Sequence, residues 1–322
     1  MAAMRTFSLA ITALSLAAAA AFADAAPSAQ ASLEARLASC NPAVMRAAAD
    51  EVLHDPKTLR EPIVLFPAAI SLRMAGDHEQ AAFLYFAARL RVGRQLLFQQ
   101  GDRVQVLRVM EMTAGPLVFP DLYLDPALVR RVVERVIEWD RNTPDPFRDR
   151  PAHADDIQRQ LAAIDQVLAG IPAALQADRS GMNAAPQAQA EARRMVQLAR
   201  EDRCGPGKMD PVDLEAAMAG IDTQVHALVR TDPTVVRRAG GDLASVDTLL
   251  GSSDVTGQPQ RFVIAVHPTA GRPFYALVDV QASITPERTL GAVRMSLACI
   301  REQEYAPERK LDNDQCPGEK PR

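Results

Sequence analysis

Histidine is the side chain that most often carries acid–base chemistry or binds a metal. The chain has five: His54, His78, His153, His226 and His267. No two of them are spaced to share one face of a helix, as a paired-histidine metal site on a helix requires. His153 with Asp155 and Asp156 could hold a cation, but acidic residues there are also typical of a solvated first helical turn. We favour the second interpretation.

Other reactive residue types do not form a recognisable catalytic set. Ser252-Ser253-Asp254 with a distant histidine could make a nucleophile, but this composition is more typical of a turn. The sequence contains no phosphate-binding loop, dinucleotide fingerprint, zinc-protease motif or nucleophile elbow. We therefore predict no catalytic, cofactor-binding or metal-binding residue. The alternative is an enzyme whose groups converge from distant positions without forming a motif.

The cysteines predict disulfides rather than a metal site. The chain has four, Cys40, Cys204, Cys299 and Cys316, and no two have the close spacing of zinc ligands. An even count in an exported chain favours two disulfides, for which three pairings are possible. We favour Cys299–Cys316, because the segment between them is short and polar, and this leaves Cys40–Cys204.

The N-terminus predicts export. Arg5 is followed by an uncharged apolar run over 7–22, and Ala21-Phe22-Ala23 fits a signal-peptidase site with cleavage after Ala23. The run is short for a membrane span, which takes about 20 residues, although an uncleaved anchor is the alternative. Leu37–Cys40 resembles a lipid-attachment box, but charged residues separate it from the apolar run. We predict a periplasmic protein with no membrane span.

Composition and charge further limit the functional classes to which the protein can belong. The chain has 36 basic and 40 acidic residues, a net charge of −4, and removing Arg5 with the signal peptide makes it −5. A mildly acidic protein is not a general nucleic-acid binder. A hydrophobic content of 48% predicts a folded core.

Helical patterns dominate the first two thirds of the chain. Asn41-Pro42, Asp125-Pro126 and Asp210-Pro211 each place a capping residue before a proline that suits the first helical position. The clearest amphipathic stripe follows Pro126: Leu128, Val129, Val132, Val133, Val136 and Ile137. Another helix is expected from Arg103 to Met112, ended by Gly115-Pro116.

The period changes to two after residue 240. Arg261–His267, Phe274–Val280 and a segment around Leu297 predict three antiparallel strands, with a hairpin connection over 269–273. The predicted fold class is α+β, a mainly helical domain of antiparallel hairpins followed by a small antiparallel sheet. The predicted divisions are a signal peptide (1–23), a flexible leader (24–39), a helical domain (40–240) and a β-rich region with a polar tail (241–322).

A basic stretch supplies candidate partner-binding residues. Arg89, Arg91 and Arg94 lie close together, and they predict either a solvated helix face or a surface where an acidic partner docks. Trp139 is a candidate aromatic anchor for the same partner, although aromatic residues are also typical of a core.

The stretch Glu61–Pro67, followed by Gly76 and Ala81–Arg91, resembles a group of uncharacterised exported bacterial proteins. One such protein is associated with immunity against an antibacterial effector delivered by a secretion system. The resemblance covers about residues 55–150, and its motifs are structural. It implies a non-enzymatic immunity or inhibitor protein whose partner is a secreted toxin, with an envelope scaffold or assembly factor using a helical groove as the alternative.

Overall fold

The computed structural model describes residues 31–98, 103–150, 155–251, 257–302 and 315–317. The predicted signal peptide, its cleavage site after Ala23, His153 and Ser252–Asp254 lie outside these ranges, as does most of the polar tail. The described chain is mainly helical and ends in a four-stranded antiparallel sheet, so the predicted fold class is confirmed.

The helices are α1 (Leu33–Leu37), α2 (Pro42–His54), α3 (Pro56–Arg60), α4 (Leu65–Met74), α5 (His78–Leu96), α6 (Arg103–Leu124), α7 (Pro126–Asn142), α8 (Asp155–Ala177), α9 (Arg179–Cys204), α10 (Pro211–Thr231) and α11 (Pro233–Ala239), with a 3₁₀ turn at Pro62–Val64. The strands are β1 (Leu243–Leu250), β2 (Gln260–Pro268), β3 (Phe274–Gln281) and β4 (Arg294–Arg301), in the order β1-β2-β3-β4.

The predicted helix starts are confirmed by their caps. The side chains of Asn41 and Asp210 each accept a hydrogen bond from a backbone N–H two residues later, at 2.9 Å. The carboxylate of Asp125 accepts from two backbone N–H groups at 3.0 Å. Each cap satisfies donors that the first turn leaves unpaired, and the following proline sacrifices no helical hydrogen bond.

The turn between α4 and α5 also follows its sequence signals. Gly76 has φ +83°, a conformation that glycine adopts without penalty. The N–H groups of Gly76 and Asp77 bond the carbonyls of Arg73 and Leu72, which closes the end of α4. Asp77 then caps α5 by accepting from the N–H of Gln80 at 3.2 Å. The result is a tight antiparallel helical hairpin.

One predicted helix boundary is wrong. Helix α6 does not end at Gly115-Pro116 but continues to Leu124 with Pro116 and Pro120 inside it. An interior proline costs about 3 kcal/mol in a helix. Burial of Ala114, Val118 and Leu122 against the core offsets that cost.

The predicted leader is also partly structured. Leu33–Leu37 forms α1, capped by the side chain of Ser32, and Leu37 is 5% exposed within the helical core. A few apolar contacts are therefore enough to order the end of a segment whose composition is typical of a flexible leader.

The chain divides into two compact units, Met1–Cys204 and Gly205–Arg322. The core of the first unit lies where α4, α5 and α7 pack together, and it includes the predicted stripe of α7. Phe66 and Tyr85 meet edge to face there, with ring centroids 5.5 Å apart. Burying one such aromatic side chain contributes about 1.5–3 kcal/mol.

The second unit begins earlier than the change of period suggests. Ile221, Val225 and Val229 recur every fourth residue along α10 and pack on the sheet beside Phe262 and Ile264. Helices α10 and α11 therefore belong to the sheet unit, and the boundary at residue 240 marks a change of secondary structure rather than of packing.

Strand β1 is not predicted by the sequence. Its apolar residues do not alternate cleanly, because the pairing with β2 shifts register between Leu243 and Ser245 and again between Thr248 and Leu250. Each irregularity breaks the period of two that identifies a strand. The hairpin connecting β2 and β3 is confirmed.

Candidate functional site

The predicted docking residues Arg91 and Arg94 lie on α5, but their side chains point into the protein. They are 1% and 2% exposed, so neither can present a surface to a partner. The prediction that they contact a partner is therefore wrong. Basic residues on a helix face look the same in sequence whether the face meets solvent or a buried set of carboxylates.

The carboxylates come from α7 and the loop after it. Arg91 Nε lies 2.6 Å from Asp140 Oδ1, and Arg94 Nη1 lies 2.8 Å from Asp140 Oδ2 and 2.7 Å from Asp145 Oδ2. Arg148 Nη1 approaches the same Asp140 carboxylate at 3.0 Å. We call Arg91, Arg94, Asp140, Asp145 and Arg148 the arginine cluster.

Backbone groups complete the arginine cluster. Arg91 also donates to the carbonyls of Pro144 at 2.7 Å and Thr143 at 3.0 Å, which fixes the loop after α7. Asp145 is fully buried, and its second oxygen accepts from the N–H of Phe147 at 2.9 Å. A buried charge is tolerated when it is paired and hydrogen-bonded in this way. The cluster positions a loop and leaves no reactive group exposed.

The pKa values of Arg91 and Arg94 are shifted in opposite directions. Burial lowers the pKa of Arg91, and the attraction of Asp140 and Asp145 offsets only part of that effect. Burial also acts to lower the pKa of Arg94, but Asp140, Asp165 and Asp145 together outweigh it, so its pKa is raised. Both guanidinium groups stay charged, because arginine does not lose its proton in proteins.

The other two predicted partner residues are more accessible. The Arg89 side chain is 36% exposed and pairs with Glu111 of α6. Trp139 is half-buried, with the guanidinium carbon of Arg91 lying 4.6 Å from the centre of its ring and Phe83 against its edge. Trp139 therefore covers the arginine cluster, and a partner role for either residue stays a prediction.

A second polar cluster connects α4, α5 and α6, and sequence reasoning does not find it. Arg73 Nη1 lies 2.6 Å from His78 Nε2, and Arg73 Nη2 lies 3.1 Å from Asp121 Oδ2. His78 Nδ1 lies 2.9 Å from the same oxygen. Arginine can only donate, so His78 accepts at Nε2 and carries its proton on Nδ1. Both ring nitrogens are engaged, and neither is free to act as a general base.

The sheet unit holds a third set of polar side chains. Thr248 on β1 donates to Asp222 of α10, and His226 Nε2 lies 2.8 Å from the same hydroxyl oxygen. Because Thr248 donates its hydroxyl proton to Asp222, the hydroxyl oxygen accepts a hydrogen bond from His226 Nε2. His226 therefore cannot remove the hydroxyl proton of Thr248. The geometry joins α10 to an edge strand and differs from a nucleophile–base pair.

Two arginines from other helices contact the C-terminal end of α4. Arg46 of α2 is exposed and donates to the carbonyl of Ala75 at 2.9 Å. Arg203, near the end of α9, is half-buried, and its Nη1 lies 3.7 Å from the sulfur of Met74. We call Arg46, Met74, Ala75 and Arg203 the α4-end surface.

Arg203 lacks the partner that the buried arginines have. Among the described residues, no carboxylate oxygen lies within 4.0 Å of its guanidinium nitrogens. A thioether sulfur is a weak acceptor. Burial lowers the pKa of Arg203, and the charge of neighbouring Asp202 offsets this only in part.

Two disulfides close all four cysteines. Cys40 is bonded to Cys204 with a Cα–Cα distance of 5.6 Å, and Cys299 is bonded to Cys316 at 5.9 Å. These are the pairings that the sequence favours. The first bond lies within the helical unit and holds the end of α9 beside the start of α2. The second joins β4 to the tail, where Cys316 contacts the guanidinium of Arg261 at 3.6 Å.

The described part of the helical unit contains a small recess. This recess, lined by Tyr123, Val129, Leu175 and Met182, among others, holds little more than a water molecule. Within the described residues, no three His, Cys, Asp or Glu side chains come together as a metal site. None of the described helices is long and apolar enough to span a bilayer.

No protein-family model, curated protein or solved structure matches this chain. Within the arginine cluster and within the Arg73–His78–Asp121 set, each cation contacts a carboxylate, whereas none of the described carboxylate oxygens lies within 4.0 Å of the Arg203 guanidinium nitrogens. Sequence could not single out Arg203, because nothing distinguishes it from the other arginines of α9.

Proposed function

We propose that this chain is a periplasmic binding protein that acts by contact with another protein rather than by catalysis. The observation that carries the proposal is the disulfide set, since all four cysteines are joined in two bonds. Disulfides of this kind form and persist in oxidising compartments and are rare in the cytosol. The N-terminal segment, with Arg5, its apolar run and the small residues before Asp24, supports the same compartment.

The state of the polar side chains supports action by contact. Arg91, Arg94, Asp140 and Asp145 are used to position a loop. His78 and His226 are each engaged by neighbours in a way that opposes general-base chemistry. An accessible cation at Arg203 is instead suited to recognition of an anionic group.

The partner that we propose is an antibacterial effector acting in the cell envelope, which the chain neutralises as an immunity protein. The resemblance over residues 55–150 and the proposed compartment support this role. Such a protein must hold the free toxin below its lethal concentration. A nanomolar dissociation constant, which corresponds to about −12 kcal/mol, is therefore expected.

A competition experiment tests the immunity role. The gene is deleted, and survival is measured against a sibling strain that delivers effectors. We expect the deletion to reduce survival, and the full-length gene to restore it. A copy lacking residues 1–23 should fail to restore it, whereas mature protein carrying a foreign periplasmic signal should succeed.

The same experiment separates the alternatives. Unchanged survival, with no effector bound to tagged protein, contradicts the immunity role and favours an envelope scaffold. The compartment is checked on protein from periplasmic extract, where N-terminal sequencing should place the start near Asp24 or Ala26. Mass spectrometry of unreduced protein should find no free thiol, and an intact Met1 or an alkylated cysteine would contradict the proposal.

A further inference from the structure

Arg203 differs from the buried arginines of this protein in its contacts. Arg73, Arg91 and Arg94 each have a carboxylate oxygen within about 3 Å. In the part of the chain that the structure describes, the side-chain contact of Arg203 is with the sulfur of Met74. Withdrawing a charged group from water without a counter-ion carries a free-energy cost, which an incoming anion would remove.

Arg46 and Arg203 contact consecutive residues at the end of α4. Their guanidinium groups contact Ala75 and Met74, consecutive residues whose Cα atoms are about 3.8 Å apart. The hydrogen bond from Arg46 to Ala75 is explained by α4 itself, because cations are favourable at the carbonyl end of a helix. That explanation does not extend to Arg203, whose hydrogen-bond partner among the described residues is a side chain and not a carbonyl.

The backbone positions of both arginines are fixed. The Cys40–Cys204 bond is formed by the residue that directly follows Arg203 and by a residue just before α2, the helix that carries Arg46. The disulfide therefore holds together the end of α9 and the start of α2, the two segments that carry these arginines. A preorganised pair loses less conformational entropy on binding than a pair on flexible segments.

We infer that the α4-end surface binds a carboxylate of an acidic segment on the protein partner. The planar guanidinium of Arg203 can receive the two oxygens of one aspartate or glutamate side chain, and Arg46 adds a second positive charge at the exposed rim. This inference rests on the proposed function for the statement that the partner is a protein. It adds the chemistry of the contact, an acidic segment recognised by two arginines.

A labelled acidic peptide tests the surface without the effector. Binding of a fluorescein-labelled hexaglutamate peptide to the intact, oxidised protein is measured by fluorescence anisotropy at low and physiological salt. We expect Arg203→Gln to weaken binding about tenfold or more, since hydrogen bonds to charged groups contribute about 1.5–3 kcal/mol. Arg46→Gln should weaken it about twofold to fivefold, because that side chain is exposed.

Arg194→Gln is the matched control, since Arg194 is an exposed arginine of the same helix, paired at 4.0 Å with Glu191. It should leave the affinity within about twofold of wild type, a change too small to reflect a direct charged contact. If Arg194→Gln weakens binding as much as Arg203→Gln, the attraction is general and the assigned surface is wrong. Absence of binding by the wild-type protein at low salt would also overturn the inference.

A cross-linking experiment locates the contact even if Arg203→Gln does not fold. Arg203→Lys keeps the charge and places an amine at the same position, which a carbodiimide can couple to a glutamate of the peptide. Mass spectrometry should find the cross-link at position 203 in Arg203→Lys and none at position 194 in Arg194→Lys. The reverse pattern would contradict the inference.

These results also separate the surface from the immunity role. Peptide binding at Arg203 without any loss of survival on gene deletion would leave the surface intact and refute the immunity role. Full protection by Arg203→Gln, together with an effector bound to the tagged variant, would leave the immunity role intact and refute the surface.

Discussion

The arginine cluster and the α4-end surface both contain guanidinium groups that are partly or almost fully removed from water, but the surroundings of these groups differ. In the cluster, Arg91 and Arg94 are almost fully buried and meet the carboxylates of Asp140 and Asp145. At the α4 end, Arg203 is only half-buried, and a disulfide rather than an ion pair holds its surroundings. In the cluster each cation has a carboxylate of the same chain, whereas at the α4 end no described carboxylate oxygen lies within 4.0 Å of the Arg203 guanidinium nitrogens.

The difference separates arginines that are paired within the fold from the arginine that we propose for recognition. Exposure alone does not make this distinction, because Arg89 is more exposed than Arg94 and still pairs with Glu111. What matters is whether the carboxylate comes from the same chain. Where it does, as in the cluster, substitution should affect stability, and where it does not, substitution should affect binding.

The largest effect is expected from Arg94→Met. The change leaves Asp140 and Asp145 facing each other with less positive charge between them, and breaking a buried ion pair typically costs about 3–5 kcal/mol. The free energy of unfolding is measured by urea denaturation of the oxidised protein. Arg131→Met is the control, because Arg131 is 52% exposed and lies 3.4 Å from Glu79. It should cost less than about 1 kcal/mol. Equal losses would show that the cluster is not a structural centre.

Removing the Cys40–Cys204 bond should have the next largest effect. The bond closes a loop with a sequence separation of 164, and Cys40→Ala with Cys204→Ala should reduce the free energy of unfolding by about 2–5 kcal/mol. The shorter Cys299–Cys316 loop, with a separation of 17, should contribute less in the chain-entropy account. Loss of the first bond should also weaken hexaglutamate binding. Unchanged peptide affinity would mean that the disulfide does not preorganise the α4-end surface.

The smallest expected effect is the pH dependence contributed by Asp149, which lies beside Arg148 of the arginine cluster. The hydrogen bond from Arg148 holds the pKa of Asp149 below its ordinary value of 3.8, so this group stabilises the fold above that pH. The contribution is lost as the pH falls through the lowered folded-state pKa. The difference in unfolding free energy between wild type and Asp149→Asn should be small above pH 4, since Asp149 is exposed, and should shrink below it. A difference that grows on acidification would reverse the assigned sign.

Local signals explain most of what the sequence could predict. Asn41 and Asp125 mark helix starts because a cap and its proline act within one turn. The stripe of α7 was recognisable because its apolar residues share one face. Cys299 and Cys316 were paired correctly because they are close in sequence.

The contacts of Arg94 and Arg203 are not local. The carboxylates that bury Arg94 lie 46 and 51 residues further along the chain, so a basic helix face and a buried ion cluster have the same local pattern. Arg203 and Met74 are 129 residues apart, and no spacing rule connects them. Strand β1 was missed for a different reason, since its two register shifts interrupt the alternation.

The central claim is that the chain meets its partner through Arg203 and not through the face of α5. It is tested most directly by measuring hexaglutamate affinity for Arg203→Gln and Arg89→Gln side by side, with unfolding curves confirming that both variants are folded. The account predicts a loss of about tenfold for Arg203→Gln and a change within about twofold for Arg89→Gln, whose charge already faces Glu111. A loss confined to Arg89→Gln, with Arg203→Gln binding like wild type, would contradict the account and restore the α5 face as the docking surface.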